Sequence, residues 1–307
     1  MRVVFMGTPA FAVPSLEALL AAGHEVAAVF TQPDRPAGRG NRLQASPVKQ
    51  LALQHGIPVY QPVRIRKESV EDLRALTPEV CVTAAFGQIL SQEILDIPAR
   101  GTVNVHASLL PRHRGSAPIV WAMLQGDETV GVTTMLTDKG IDTGAMLLRR
   151  ETDRLPGETC GELTERLSRV GAELLIETLA AMEAGTLVPV PQDEAAMTYE
   201  PMLRKEMGMI DWRESARAVA DRILALNPWP CCTVETDAGR LKLLRAAAAS
   251  GSGTPGQVLA ADPKLGLVIA CGEGAVEITQ LQAPGGRAMA AKDFLRGHTV
   301  NKVLDPA

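Results

Sequence analysis

In the run "TVNVHASLLPRHRG" (102–115), an amide and an imidazole, Asn104 and His106, stand two residues apart. A stretch rich in Pro, Arg and Gly follows at once. Along a strand, alternate side chains share a face, so Val103 and Val105 look one way and Asn104 and His106 the other. Asn supplies N–H donors and a carbonyl acceptor; His supplies a donor, an acceptor, or two donors when protonated. Such a pair at a strand end could bind an oxygen that becomes negative during acyl transfer. Loss of one such donor typically costs about 10²–10³ in rate. Read alone, an Asn-x-His pair is more often two satisfied polar groups at a strand terminus.

A carboxylate would complete the set, and "TDKGIDTGAM" (137–146) offers Asp138 and Asp142. Asp142 lies between Gly140 and Gly144, after the apolar run "GVTTMLT". A tight glycine loop there could hold a carboxylate beside His106 and bias its protonation. Asp138 suits a turn cap, and each Asp taken singly reads as a turn residue.

The elements that must position these groups follow an alternating rhythm. "RVVFMG", "EVAAVF", "IPVY", "EVCVTAA", "TVNVH" and "GVTTMLT" read as strands. "PSLEALLAAG" (14–23) and "SPVKQLALQHG" (46–56) read as helices, with Pro or Ser at the start and Gly at the stop. A long amphipathic helix is expected over 159–185. The rhythm predicts an α/β, Rossmann-like, mostly parallel wound sheet, in which ligands bind beyond the C-terminal strand ends. A proline-rich stretch then interrupts the pattern. Beyond it come a helix over 214–227, a hairpin turning at "DAG", three short strands and a helical turn at "AKDFLRG". That spacing predicts a small C-terminal β-barrel of OB-like kind. The expected division is 1–188, a connector over 189–206, and 207–307. "AAAASGSGTPG" (246–256) reads as a flexible loop of low complexity.

At 307 residues, 46% hydrophobic and 21% charged, the chain suits a globular protein of two domains. Its net charge of −4 gives no overall basic footprint. From Lys205 onward, 12 Lys and Arg face 11 Asp and Glu, so any basic surface there must arise from folding. "MRVVFMGTPAF" is broken by Gly7 and Pro9, so no signal peptide is expected. No apolar run reaches the length a bilayer needs. "MGTPAF" lacks the full dinucleotide fingerprint, so no NAD site is expected. Five cysteines without ligand spacing predict no metal site and a reducing, cytoplasmic setting. The loop 33–47 carries Arg35, Arg39 and Arg42 among Pro and Gly. Its composition disfavours a helix or central strand and suits either a solvated loop or contact with RNA phosphate.

The runs "NVHASLLPRHRGSAPI", "GVTTMLTDKGIDTGAML" and "VFMGTPAFAVPSLEAL" together resemble the formyltransferases that use 10-formyltetrahydrofolate. "FTQPDRPAGRGNRLQASPVKQLA", "TYEPMLRKEMGMIDW" and "NPWPCCTVE" narrow the resemblance to the members that formylate methionyl-tRNA. It runs from about Arg2 to Gly297. It implies that Asn104, His106 and Asp142 form the catalytic set. By the same resemblance, Ser108, Leu109, Leu110 and Pro111 contact the folate, as do Phe86, Gly87, Ile89 and Leu90 of "AAFGQIL". Arg35, Arg39, Arg42 and Lys205 would meet the tRNA, with Arg39 matching an important arginine of the loop.

The implied partners are initiator methionyl-tRNA and the folate co-substrate, with no metal, no membrane and a monomeric chain. The implied reaction is direct attack of a neutral α-amino group on the formyl carbon, without a covalent enzyme intermediate. Two other readings stay open at this level. A formyltransferase for a nucleotide-linked amino sugar would share Asn104, His106 and Asp142 without needing the arginine loop. A non-catalytic folate- or RNA-binding module would not need the three together.

Overall fold

The computed structural model describes residues 1–37 and 42–303. Two compact units emerge, and each is discontinuous in sequence. The first comprises 1–115, 130–152 and 164–199; the second comprises 116–129, 153–163 and 200 onward.

The first unit is built on a seven-stranded sheet. Its spatial order is Met146–Asp153, Thr129–Leu136, Thr102–His106, Val80–Ala84, Arg2–Gly7, Glu25–Phe30 and Val59–Tyr60. The central pairings are parallel, and Thr102–His106 meets Thr129–Leu136 antiparallel, with His106 opposite Thr133. The chain moves outward from Arg2–Gly7 on one side, then returns to place Val80–Ala84 on the other. That reversal opens a crevice at the C-terminal strand ends. Val4, Met6, Ala28, Phe30 and Cys81 line one face of the sheet and pack with Ile65, Leu73, Phe86 and Ile94. Each fully buried Val, Leu, Ile, Phe or Met side chain among them contributes roughly 1.5–3 kcal/mol.

The helices start where the sequence signals them. Ser46 accepts from the Lys49 N–H at the head of Pro47–Gln54, and Ser215 accepts from the Ala218 N–H at the head of Ala216–Ala225. The long helix Cys160–Glu183 covers the sheet. A Cβ on Gly171 would stand 2.8 Å from Val105 Cγ1. A glycine there lets the helix press directly on the strand that carries Asn104 and His106. Thr178 and Thr134 add a buried hydroxyl pair at 2.7 Å between helix and sheet.

The second unit holds the helix Ala216–Ala225 against an antiparallel sheet. The strand order is Cys232–Thr236, Gly239–Ala249, Ala275–Gln282, Gly266–Ala270 and Val258–Asp262. The expected barrel takes the form of a curled half-barrel. Asp221, buried, accepts from Arg154 at 2.5 Å and from Arg217 at 2.8 Å.

Several local expectations are corrected. Ala246–Ala249, assigned to a flexible loop, is the end of a strand paired with Ala275–Ile278. Alanine has weak intrinsic strand preference, and pairing with a neighbour overrides it. The loop 33–47 contains a two-stranded ribbon, Arg35–Ala37 with Arg42–Gln44, because a ribbon needs only one paired edge and so tolerates Pro36. The strand Met146–Asp153 and the helix Pro118–Leu124 were not foreseen. The strand's run of charges, "RRETD", hides it, since only every second residue turns inward.

All five cysteines are buried and free. Burial pushes the Cys81 and Cys232 thiols up to about 12, and Cys271 to about 11. The thiolate is the reactive form. The native protein is therefore expected to react with less than one equivalent of a thiol reagent at neutral pH, and with five after denaturation. Rapid native labelling of several thiols would contradict this burial.

Candidate active site

The strand Thr102–His106 and the glycine loop after Thr129–Leu136 bring together the groups singled out above. His106 is 6% exposed. Its Nε2 lies 3.0 Å from the His113 carbonyl, so Nε2–H donates there and Nδ1 is the nitrogen left for chemistry. Nδ1 faces Asp142 Oδ1 at 3.6 Å. That is too long for a direct hydrogen bond and leaves room for a bridging atom or a tightening on substrate entry. The second carboxylate oxygen of Asp142 accepts the Gly115 N–H at 2.9 Å. Asp142 has φ of 53°, a left-handed conformation rare outside glycine and held by its surroundings.

Asn104 is oriented from the next strand. Its Oδ1 accepts the Thr83 hydroxyl at 3.0 Å. That turns Nδ2 outward, with no acceptor bonded to it among the described residues. A free N–H₂ at a strand end is the group an oxyanion needs. Asp138 accepts from the Gly140 N–H and the Thr143 hydroxyl at 3.0 and 2.7 Å. It caps the loop, as its alternative reading had it.

The predicted folate residues divide by exposure. Gly87 and Ile89 face solvent, Leu109 and Pro111 are half-buried, and Phe86, Leu90, Ser108 and Leu110 are buried. Phe86 and Leu90 belong to the core, and Ser108 donates to the Arg112 carbonyl at 2.7 Å. These four shape the strand ends more than they present side chains. A cleft of about 580 Å³ lies over those ends, bounded by Thr8, Gln32, Arg35, Ser46, Phe86 and Gly87.

Of the basic residues, Arg35 is exposed at the cleft, and Lys205 is exposed in the second unit. Arg42 stands in the ribbon strand, and Arg39 lies outside the described residues. Among the described residues, no group of three or more His, Cys, Asp or Glu is arranged to hold a metal ion. None of their helices is long and apolar enough to cross a membrane.

Sequence reasoning missed the groups that brace this site. Arg114, 2% exposed, donates through Nε to Gln192 Oε1 at 2.9 Å and through both terminal nitrogens to Glu194. Its guanidinium holds the Glu194 carboxyl below the usual carboxylate range. Gln192 in turn donates to the Asp142 and Gly144 carbonyls, each at 2.8 Å. Nothing local signals this role, because the partners lie between 48 and 80 residues apart.

Comparison with known proteins places the chain among relatives. A family profile described as "Formyl transferase" matches residues 1–179, and one described as "Formyl transferase, C-terminal domain" matches 202–299. A methionyl-tRNA formyltransferase of Trichlorobacter lovleyi is 50% identical over 298 residues, 97% of this chain and 94% of that one. One of Citrifermentans bemidjiense is 49% identical over 299 residues, with the same coverage. Among solved structures, an N-formyltransferase of Helicobacter canadensis, in complex with folinic acid and dTDP-3-aminofucose, superposes with a TM-score of 0.70. It is 17% identical and covers 91% of this chain and 98% of its own, a likeness of fold.

Proposed function

This chain belongs to the formyl transferase family, and we propose that it transfers the formyl group of 10-formyltetrahydrofolate to the α-amino group of initiator methionyl-tRNA. The observation that carries the chemistry is the approach of His106 Nδ1 to Asp142, at the end of the strand that also bears Asn104. The choice of acceptor is supported by near-half identity, along almost the whole chain, to proteins named for that reaction. The amino-sugar alternative has only a likeness of fold behind it.

The acceptor amine, with a pKa of about 8 in peptides, is readily neutral. Its nitrogen bonds to the formyl carbon, and the carbonyl oxygen gains negative charge. Asn104 Nδ2 donates to that oxygen. His106 Nδ1, facing Asp142, takes the proton that the amine loses. Protonated, it becomes a donor held beside a carboxylate. When the carbonyl re-forms, the bond from carbon to the folate nitrogen breaks, and that nitrogen leaves with the proton. Gly87 and Ile89, with Leu109 and Pro111, offer apolar and backbone contact for the folate. The reaction runs in the cytoplasm, on a monomer. The test is formyl transfer to charged initiator tRNA by the purified chain, with an uncharged tRNA and a nucleotide-linked amino sugar as controls. Transfer to the sugar alone would overturn the reading.

Arg39 serves the acceptor and not the donor in this scheme. Arg39→Ala is expected to weaken use of tRNA at least tenfold while folate binding stays within about twofold, and Arg39→Lys to rescue only in part, because lysine lacks the planar fork. Added salt should depress the wild-type rate more steeply than that of Arg39→Ala, one phosphate contact having gone. Loss of folate binding in Arg39→Ala would put this residue in the donor site instead.

A further inference from the structure

We propose that residues 192–198, in the stretch that sequence reads as a connector, are a positioning element that holds both halves of the His106–Asp142 pair. This rests on the proposed formyl transfer and adds to it residues that act through others.

Two separate attachments converge on one short strip, His113 to Gly115. The His113 carbonyl fixes His106 Nε2, and the Gly115 N–H fixes Asp142 Oδ2. The strip is therefore the spacer that sets the distance between the two. It is in turn pinned by the connector. The His113 N–H donates to Thr198 Oγ1 at 2.8 Å, and the Arg114 N–H donates to the Thr198 carbonyl at 3.0 Å. Between these pins, the buried Arg114 side chain reaches Glu194 and Gln192.

Gln192 closes the circuit. Its Oε1 is taken by Arg114, which leaves its N–H₂ facing the loop, and both protons are spent on the carbonyls of Asp142 and Gly144. The first of those carbonyls belongs to Asp142 itself, whose left-handed backbone would otherwise relax, and the second lies two residues on. An amide is required, since one end must accept from a cation while the other donates twice. A glutamate of the same size would keep the first bond and lose both others. Glu194, 70% exposed at its side chain, serves only to orient Arg114.

The test uses the full-length chain. Gln192→Ala and Gln192→Glu are each expected to lower kcat by about 10–100-fold, as misplacement of a reacting group on the ångström scale does. KM for charged tRNA and for the folate donor should stay within about twofold, because neither variant touches a substrate. Amide hydrogen exchange across 138–146 should quicken about tenfold or more as the loop loosens. In an Asp142→Asn background, Gln192→Ala should cost less than about twofold further, because its effect passes through Asp142.

Glu194→Ala removes an exposed partner without opening the core. It should give a smaller loss of the same kind, and it stands in should the Gln192 variants fold poorly. Unchanged kcat in Gln192→Ala, or a loss that multiplies in full with that of Asp142→Asn, would overturn the proposal. Should the wild-type chain fail to formylate tRNA, the functional reading falls, while the exchange measurement still decides whether Gln192 holds the loop.

Discussion

His106→Ala is expected to lower the turnover of formyl transfer by about 10²–10⁴, the range that a positioned general acid–base group supplies. The ring does two things at once. Nε2–H anchors on the His113 carbonyl, and Nδ1 is thereby aimed at Asp142. Alanine removes both and leaves the His113 carbonyl without that donor, at a cost of roughly 1–3 kcal/mol in stability. Circular dichroism and a melting curve should therefore show a folded, slightly weakened protein. Asn104→Ala should lose about 10²–10³, from the missing oxyanion donor. The double variant should lose less than the product of the two, since the groups act on one transition state. Turnover of His106→Ala within tenfold of wild type would remove His106 from the chemistry.

Gly144→Ala should cost nearly as much without touching a reacting group. A Cβ at this position would stand 1.7 Å from the Leu136 carbonyl oxygen and 2.9 Å from its carbon. Backbone cannot yield as a side chain tip can, so the loop must move away from the strand end. Gly144 also presents its own carbonyl to Gln192, two residues from Asp142. A shift of about 1 Å at the carboxylate is expected to cost about 10²-fold in kcat. The strain itself should cost about 1–3 kcal/mol. Gly297→Ala is the control, since nothing lies within 4 Å of its added carbon. It should keep full turnover. Full turnover in Gly144→Ala would mean that the loop tolerates displacement and that Asp142 needs no fixed place.

What could be read in advance is what a short stretch encodes by itself. Alternation in "TVNVH" separates Asn104 and His106 from Val103 and Val105, because a strand's side chains repeat every two residues. The structure keeps this separation, with both valines buried. Ser46 announces its helix, since a cap bonds only to its own first turn. The alternating strands and helices announce the wound sheet for the same reason. Local reading gives way where pairing with a distant segment overrides local preference, as in Ala246–Ala249 beside Ala275–Ile278, and where exposed charges mask a half-buried strand, as in Met146–Asp153.

By itself, then, the sequence determined most of the element types, the polar face of one strand, and, through its resemblance to a known family, the kind of reaction. The tertiary structure decided which atoms face one another. Only it turns Nδ1 of His106 toward Asp142. Only it draws 116–129 and 153–163 into the second compact unit and leaves 192–198 with the first. Hydrogen bonds such as those of Gln192 to Asp142 and Gly144 join residues about fifty positions apart. No periodicity or capping rule spans that separation, because the bond depends on how several elements pack and on no local preference of the chain.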